Sequence, residues 1–247
     1  MLPHFLGLGA QKAASTWLYE MLKQHPQIWM PPIKELHFFD IPGEASHFSN
    51  VVFRRKGYRK SWNRLKHTSK RNTLFLRFFF LPRTLKNYKL LFSPSKGQTC
   101  GEITSGYANL PLEKIKYIRQ HLPDVKLIYI LRNPIHRDWS SISMLMTQKG
   151  WTIKSIPTKI LQKKLKKRLS HSHYVLNIQN WEKHFPKEQI FISFFEEIEQ
   201  APIRFLERLF EFLELDKIDM QAFQKLATKK VNSHSLQNIP DLSLIHI

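Results

Sequence analysis

His4-Phe5-Leu6-Gly7-Leu8-Gly9-Ala10-Gln11-Lys12-Ala13-Ala14-Ser15-Thr16-Trp17-Leu18-Tyr19 opens the chain and decides its architecture. His4 to Gly9 is a short apolar run ending in glycine, which reads as a buried strand. Ser15 has the chemistry of a helix N-cap, and Trp17, Leu18, Met21 and Leu22 follow at helical spacing. Pro26 closes that helix. Ile28–Met30 reads as a short strand, and Pro31-Pro32 turns the chain into Ile33–Asp40. Strand, loop, helix and strand in this order begin a βαβ unit.

The pattern continues outward. Thr99–Ile103 reads as a strand, and Pro111–His121 as a helix with proline at its first position. Val125–Leu131 is apolar and β-branched, the signature of a strand buried on both faces. Asn133-Pro134 is a break, Ile135–Thr147 a helix and Tyr174–Phe185 amphipathic. Gln189–Phe194 is a further strand and Pro202–Leu213 a last strong helix. Alternating strands and helices predict an α/β fold, a central parallel sheet with helices on both faces. A chain of 247 residues, 42% hydrophobic, suits one such domain spanning residues 1–247. Residues 51–98, where aromatic clusters such as Leu74–Leu81 mix with arginines, are expected to be a basic helical insertion in it.

The formal charge is +20. Residues 51–98 carry fourteen Lys and Arg without one acid, and residues 149–173 carry eight more, again without one. Such fields attract polyanions: nucleic acid, anionic lipid, anionic glycan or a highly charged nucleotide. Charge alone does not choose among them. The single cysteine, Cys100, rules out an intrachain disulfide and a cysteine zinc cluster, and points to a reducing compartment. The twelve histidines show no HExxH spacing, and His171 and His173, two apart, suit a strand or a loop, so no metal is expected. No run approaches the ~18 apolar residues of a membrane span. The N-terminus lacks a charged region ahead of its apolar run. A cytoplasmic protein is the expectation.

Two segments have anion-binding chemistry. Gly9 to Thr16 joins the first strand to the first helix, where unpaired N–H groups and a partial positive charge favour an anion. Lys12 adds a full charge, and Ser15 and Thr16 add hydroxyls. The pattern is not a Walker A loop, which needs the lysine after a glycine and directly before Ser or Thr. A plain connector remains the alternative. In Leu127-Ile128-Tyr129-Ile130-Leu131-Arg132-Asn133-Pro134, Arg132 stands just past a buried strand, with Ser140 eight residues on in the next helix. An arginine there can fork onto phosphate or cap a carboxylate.

Together these segments resemble the superfamily of sulfotransferases that use 3′-phosphoadenosine 5′-phosphosulfate (PAPS), particularly its bacterial and heparan sulfate-modifying branches. Phe5–Tyr19 resembles the family's 5′-phosphosulfate loop and Ile128–Ser141 its 3′-phosphate motif. Lys34–Asp40, KELHFFD, is similar to the segment carrying the catalytic base in the glycan-modifying branch. Gly101-Glu102-Ile103-Thr104 resembles the GE-x-[ST]-P-x-Y strand. The likeness runs over about residues 4–235 and is weakest in 51–98.

The resemblance implies a P-loop-NTPase-like three-layer sandwich and metal-free, in-line sulfuryl transfer from PAPS to a hydroxyl or amine, plausibly of a glycan. It implies Lys12 at the bridging oxygen, and Ala13, Ala14, Ser15 and Thr16 around the 5′-phosphate. Arg132 and Ser140 would take the 3′-phosphate, and Trp17 and Lys230 contacts to the adenine or a phosphate. Glu35 is the implied base, with His37 its rival; Glu102 would either orient Lys12 or satisfy a buried partner. The chain departs from the family in three places. Ala14 stands where glycine is frequent, Ile103 where lysine is frequent, and Ser105 where proline is frequent. Members also run on past the last motif into a further helix, so a truncated C-terminus is expected from Ile239–Ile247. A P-loop kinase, or a non-enzymatic polyanion or nucleic-acid binder, is the competing reading.

Overall fold

The five strands are where apolar, β-branched stretches predicted them. The structure, a computed structural model, describes residues 1–41, 69–151, 159 and 172–227. β1 (Phe5–Gly9) is buried along its whole length. β2 (Ile28–Trp29), β3 (Thr99–Ile103), β4 (Lys126–Leu131) and β5 (Ile190–Phe194) complete one sheet in the order β2-β3-β1-β4-β5. Every pairing is parallel, with Phe5 opposite Gly101 on one side and Lys126 on the other.

Nine helices of the described residues cover it. α1 is Ser15–Leu22, α2 Ser69–Phe80, α3 Leu85–Lys89, α4 Leu112–His121 and α5 Pro134–Lys149. α6 is Tyr174–Glu182, α7 Phe195–Gln200, α8 Pro202–Phe212 and α9 Gln221–Ala227. Parallel crossovers are right-handed. The β1–β2 connection moves toward one edge of the sheet and the β3–β4 connection toward the other, so α1 and α4 lie on opposite faces. The contacts agree: α1 packs with α9, and α4 with α6. The core is the double layer of β1, β3 and β4 side chains, with Phe5, Leu6, Leu8, Leu127, Ile128 and Ile130 fully buried.

Local chemistry corrects several predicted ends. Proline does not occupy the first position of α4; Pro111 is its N-cap, in extended conformation. α5 begins one residue earlier than expected, because Pro134 fits the first helical turn and Asn133 caps it, accepting from the N–H groups of Ile135 and His136. Ser15 is not the cap of α1. Ala14 holds that position in the left-handed region (φ 59°) without a side-chain cap, and Ser15 is the first helical residue. Its hydroxyl has other partners, given below. Of the expected basic helical insertion, α2 and α3 are seen; residues 42–68 lie outside the described residues, as do most of 149–173, His171 and Lys230.

Candidate active site

β1 is the central strand, and the connections leaving it and β4 run to opposite edges. Ligands of open α/β sheets bind at such a switch point, beyond the carboxyl ends of the strands. The Gly9–Ala14 loop emerges there. It is tied to β4 by Ala10 N–H, which donates to the Ile130 carbonyl at 2.7 Å. Gly9 has φ 137°, and a Cβ on it would stand 3.0 Å from the Ser105 carbonyl oxygen, so the loop passes β3 only because glycine is there. Leu18 N–H bonds back to the Ala14 carbonyl at 2.9 Å, closing the first helical turn. Helix geometry leaves the N–H groups of Ser15, Thr16 and Trp17 without an intrahelical acceptor.

On the β4 side lies Arg132. It follows the strand directly, so its side chain starts at the same edge as the loop. Arg132 Nη1 donates to the Lys12 carbonyl at 2.7 Å, and its guanidinium lies over the Phe195 ring at 4.0 Å. Its Nε is buried without a hydrogen-bond partner among the described residues. Burial pulls the Arg132 pKa down from its ordinary value, against the carboxylates of Glu199 and Glu196; arginine stays charged regardless. Lys12 Nζ reaches Met144 Sδ of α5 at 3.7 Å. Ser140 precedes Met144 by one helical turn, so it shares the face of α5 turned to the Lys12 loop.

On the β3 side lies the segment Ile33–Asp40. Its apolar residues anchor it: Leu36, Phe38 and Phe39 are buried, and Phe38 stacks on Tyr88 with centroids 4.2 Å apart. Between these anchors Glu35 (φ 63°) and His37 (φ 53°) take left-handed backbone, strain of the kind found at functional sites. Arg83 donates to the carbonyls of Phe38 and Ile41 and is buried. A cation from the basic stretch therefore serves as a loop anchor here.

Glu102 completes the support. Its carboxylate accepts from Tyr88, from Tyr107 at 2.9 Å and from Thr104 at 2.8 Å. The Tyr107 hydroxyl in turn accepts from Phe38 N–H at 2.9 Å, and Thr104 Oγ1 from His37 N–H at 3.4 Å. Of the two roles open for Glu102, the structure shows the buried partner. Burial pushes its pKa up to about 7, against the three hydroxyl donors.

Glu35 is 20% exposed at its side chain and faces the loop. Lys34 Nζ donates to Glu35 Oε1 at 3.0 Å, to Ser15 Oγ at 3.0 Å and to Thr16 Oγ1 at 3.4 Å. Ser105 holds the other side: its N–H donates to Glu35 Oε2 at 3.0 Å and its hydroxyl to Oε1 at 2.6 Å. His37 lies behind, Nε2 3.8 Å from Glu35 and Nδ1 2.7 Å from Asp40. Burial alone would push the Glu35 pKa up. The Lys34 ammonium, the Ser105 hydrogen bond and the nearby His37 outweigh it and hold the carboxyl below its usual value.

Sequence reasoning missed Lys34 and Ser105. Lys34 adjoins a named candidate, and Ser105 stands out in the sequence only as a departure from the family's proline. Trp17 is buried, its indole N–H donates to the Ala227 carbonyl at 3.0 Å, and its ring meets Phe205 edge-on, so it packs into the core beside the loop. Among the described residues no cluster of His, Cys, Asp and Glu could hold a metal. Among them, too, no helix is long and apolar enough to cross a membrane.

A parallel sheet whose first strand runs through a loop into a helix at the switch point, with an arginine beside that loop and a carboxylate bridged to Ser15 of the helix through Lys34 and Ser105, is a P-loop-NTPase-like fold. A model of the sulfotransferase family matches residues 3–219. The chain belongs to the sulfotransferase family. Among solved structures it is similar to a sulfotransferase from Alicyclobacillus acidocaldarius, at 21% identity and TM-score 0.68, with 99% of this chain and 90% of that one covered. It is similar to the sulfotransferase domain of the Synechococcus PCC 7002 olefin synthase, at 16% identity and TM-score 0.63, covering 99% and 83%. Mouse sulfotransferase SULT7A1, in complex with PAP, aligns at 16% identity and TM-score 0.51, covering 91% and 62%. No curated protein matches it in sequence.

Proposed function

We propose that the enzyme moves the sulfuryl group of PAPS onto a hydroxyl or amine of a carbohydrate acceptor, with Glu35 as general base. The observation that carries this reading is the order of groups along one sheet edge: Glu35, then the Lys12 loop, then Arg132. A doubly phosphorylated nucleotide laid across that edge meets a cation at each end. The N–H groups of Ser15 and Thr16, with their hydroxyls and the Ala13–Ala14 backbone, fit the 5′-phosphate. Arg132 and Ser140 fit the 3′-phosphate. Lys230 is a further candidate for that phosphate and rests on the resemblance alone.

The acceptor oxygen or nitrogen bonds to sulfur while the bond from sulfur to the 5′-phosphate oxygen breaks. Adenosine 3′,5′-bisphosphate (PAP) leaves, and the acceptor proton passes to Glu35. Lys12 offsets the charge that develops on the leaving oxygen. Glu35 is favoured over His37 because His37 is 5% exposed and committed to Asp40, whereas Glu35 stands in front of it. The carbohydrate assignment is supported by the KELHFFD likeness and by the charge of +20. The lone cysteine, buried and free, supports action in the cytoplasm.

Calorimetry with PAP against adenosine 5′-phosphate tests the donor site. A charge-assisted pair at the 3′-phosphate predicts a preference of about tenfold to a hundredfold for PAP, lost in Arg132→Ala. Equal affinity for the two nucleotides would sink the reading. Transfer from labelled PAPS to a panel of glycans, with Glu35→Gln inactive on any acceptor found, tests the base.

A further inference from the structure

The Ser105 contacts go beyond the assignments above. The resemblance places proline where Ser105 stands, and proline has neither an N–H nor a hydroxyl. Here both are used, one on each oxygen of Glu35. Ser105 Oγ also lies 3.3 Å from Ser15 Oγ. A serine hydroxyl has one proton. With that proton on Glu35, the bond to Ser15 runs the other way, from the Ser15 hydroxyl to Ser105. Lys34 Nζ closes a ring by donating to both Ser15 and Glu35.

We propose that Ser105 is a positioning residue for sulfuryl transfer, fixing both oxygens of Glu35 and tying them to Ser15 at the donor loop. The proposal rests on Glu35 being the base. Its consequence is twofold. The carboxylate cannot rotate away from the loop, because its two oxygens are held by two donors of one residue at the end of β3. It also stays ionised, because Ser105 gives hydrogen bonds only an ionised carboxylate can fully accept. The other groups facing Glu35 among the described residues are Lys34 and His37 on its own segment, Asp40 beyond His37, and the Ser15 and Thr16 hydroxyls of α1. Of these, Lys34 also lowers the carboxyl pKa, so losing Ser105 should weaken the hold without abolishing it.

The test is a carbon NMR titration of protein labelled at the glutamate side-chain carboxyl carbon. Glu35→Gln identifies the Glu35 resonance by its disappearance. Ser105→Ala removes the hydroxyl and keeps the N–H. Its Glu35 midpoint should rise by about one pH unit, tenfold in proton affinity. Ser105→Thr, which restores a hydroxyl, should return it toward the wild-type midpoint. A role confined to packing would change the unfolding midpoint of Ser105→Ala and leave the titration where it was, and that result would overturn the proposal. A Glu35→Gln enzyme that still turned over at the wild-type rate would instead refute Glu35 as base and leave the Ser105 result standing, so the two failures are separable.

Discussion

Replacing Ala14 by glycine should make this protein more stable, against the usual direction of such a change. Ala14 sits at φ 59° and ψ 16°, where a Cβ crowds the backbone. That conformation costs an L-residue about 1–2 kcal/mol. Glycine relieves it, while adding freedom to the unfolded chain that opposes folding by about 0.4–1 kcal/mol. The net gain is about 0.5–1 kcal/mol. For a chain of this size 1 kcal/mol moves the melting point by about 2–4 °C, so Ala14→Gly should melt roughly 1–4 °C higher. The adjacent residue is the control. Ala13 is 0% exposed and its φ is not positive. Ala13→Gly loses a buried methyl, about 0.8 kcal/mol, and adds the same unfolded-state freedom, so it should melt lower by about 2–7 °C. The assay is thermal unfolding by circular dichroism without nucleotide. Two shifts of the same sign would refute the reasoning, because the sign is set by backbone conformation and not by composition.

Lys12→Ala should lower the turnover of PAPS with an identified acceptor by about 10²–10³-fold while weakening PAP binding far less; equal losses in both would remove Lys12 from the transition state. Lys34→Met removes a cation from both Ser15 and Glu35. PAP affinity should fall about tenfold and the Glu35 titration move upward, measured by calorimetry and carbon NMR; unchanged values in both would show that Lys34 only decorates the site. Glu102 has a folded-state pKa of about 7 against an ordinary 4.5. A raised carboxyl pKa means the folded state holds its proton longer, so this contribution is complete below pH 4.5 and is lost as pH rises toward 7. Urea unfolding should show wild type losing up to about 3 kcal/mol relative to Glu102→Gln over that window; parallel curves for the two proteins would refute it.

Most of the fold was legible because its signals are local. Apolar runs of strand length, breaks at Pro26, Pro31 and Asn133-Pro134, and helical spacing after Thr16 each report within about ten residues. Cap positions shifted where two neighbours competed for one role, as Ala14 and Ser15 do. Ser15 looks like a cap because serine oxygens accept from helix N–H groups, but its hydroxyl is drawn instead to Lys34 and Ser105. Trp17 looked available because it follows a binding loop; α9 and Phe205 bury it.

By itself the sequence determined that Lys12 follows β1 and Arg132 follows β4. The two strands are adjacent and parallel, so their trailing loops share an edge. Glu35 is named there by the likeness of KELHFFD, with His37 its rival. Only the tertiary structure decided what holds Glu35 there. Ser105 is 70 residues away in the chain and Ser15 is 90 from Ser105. Glu102 was likewise assigned only when Tyr88, Tyr107 and Thr104 were brought around it. A hydrogen bond depends on distance and angle in space, and separations of that length place no constraint on either until the β-sheet sets them.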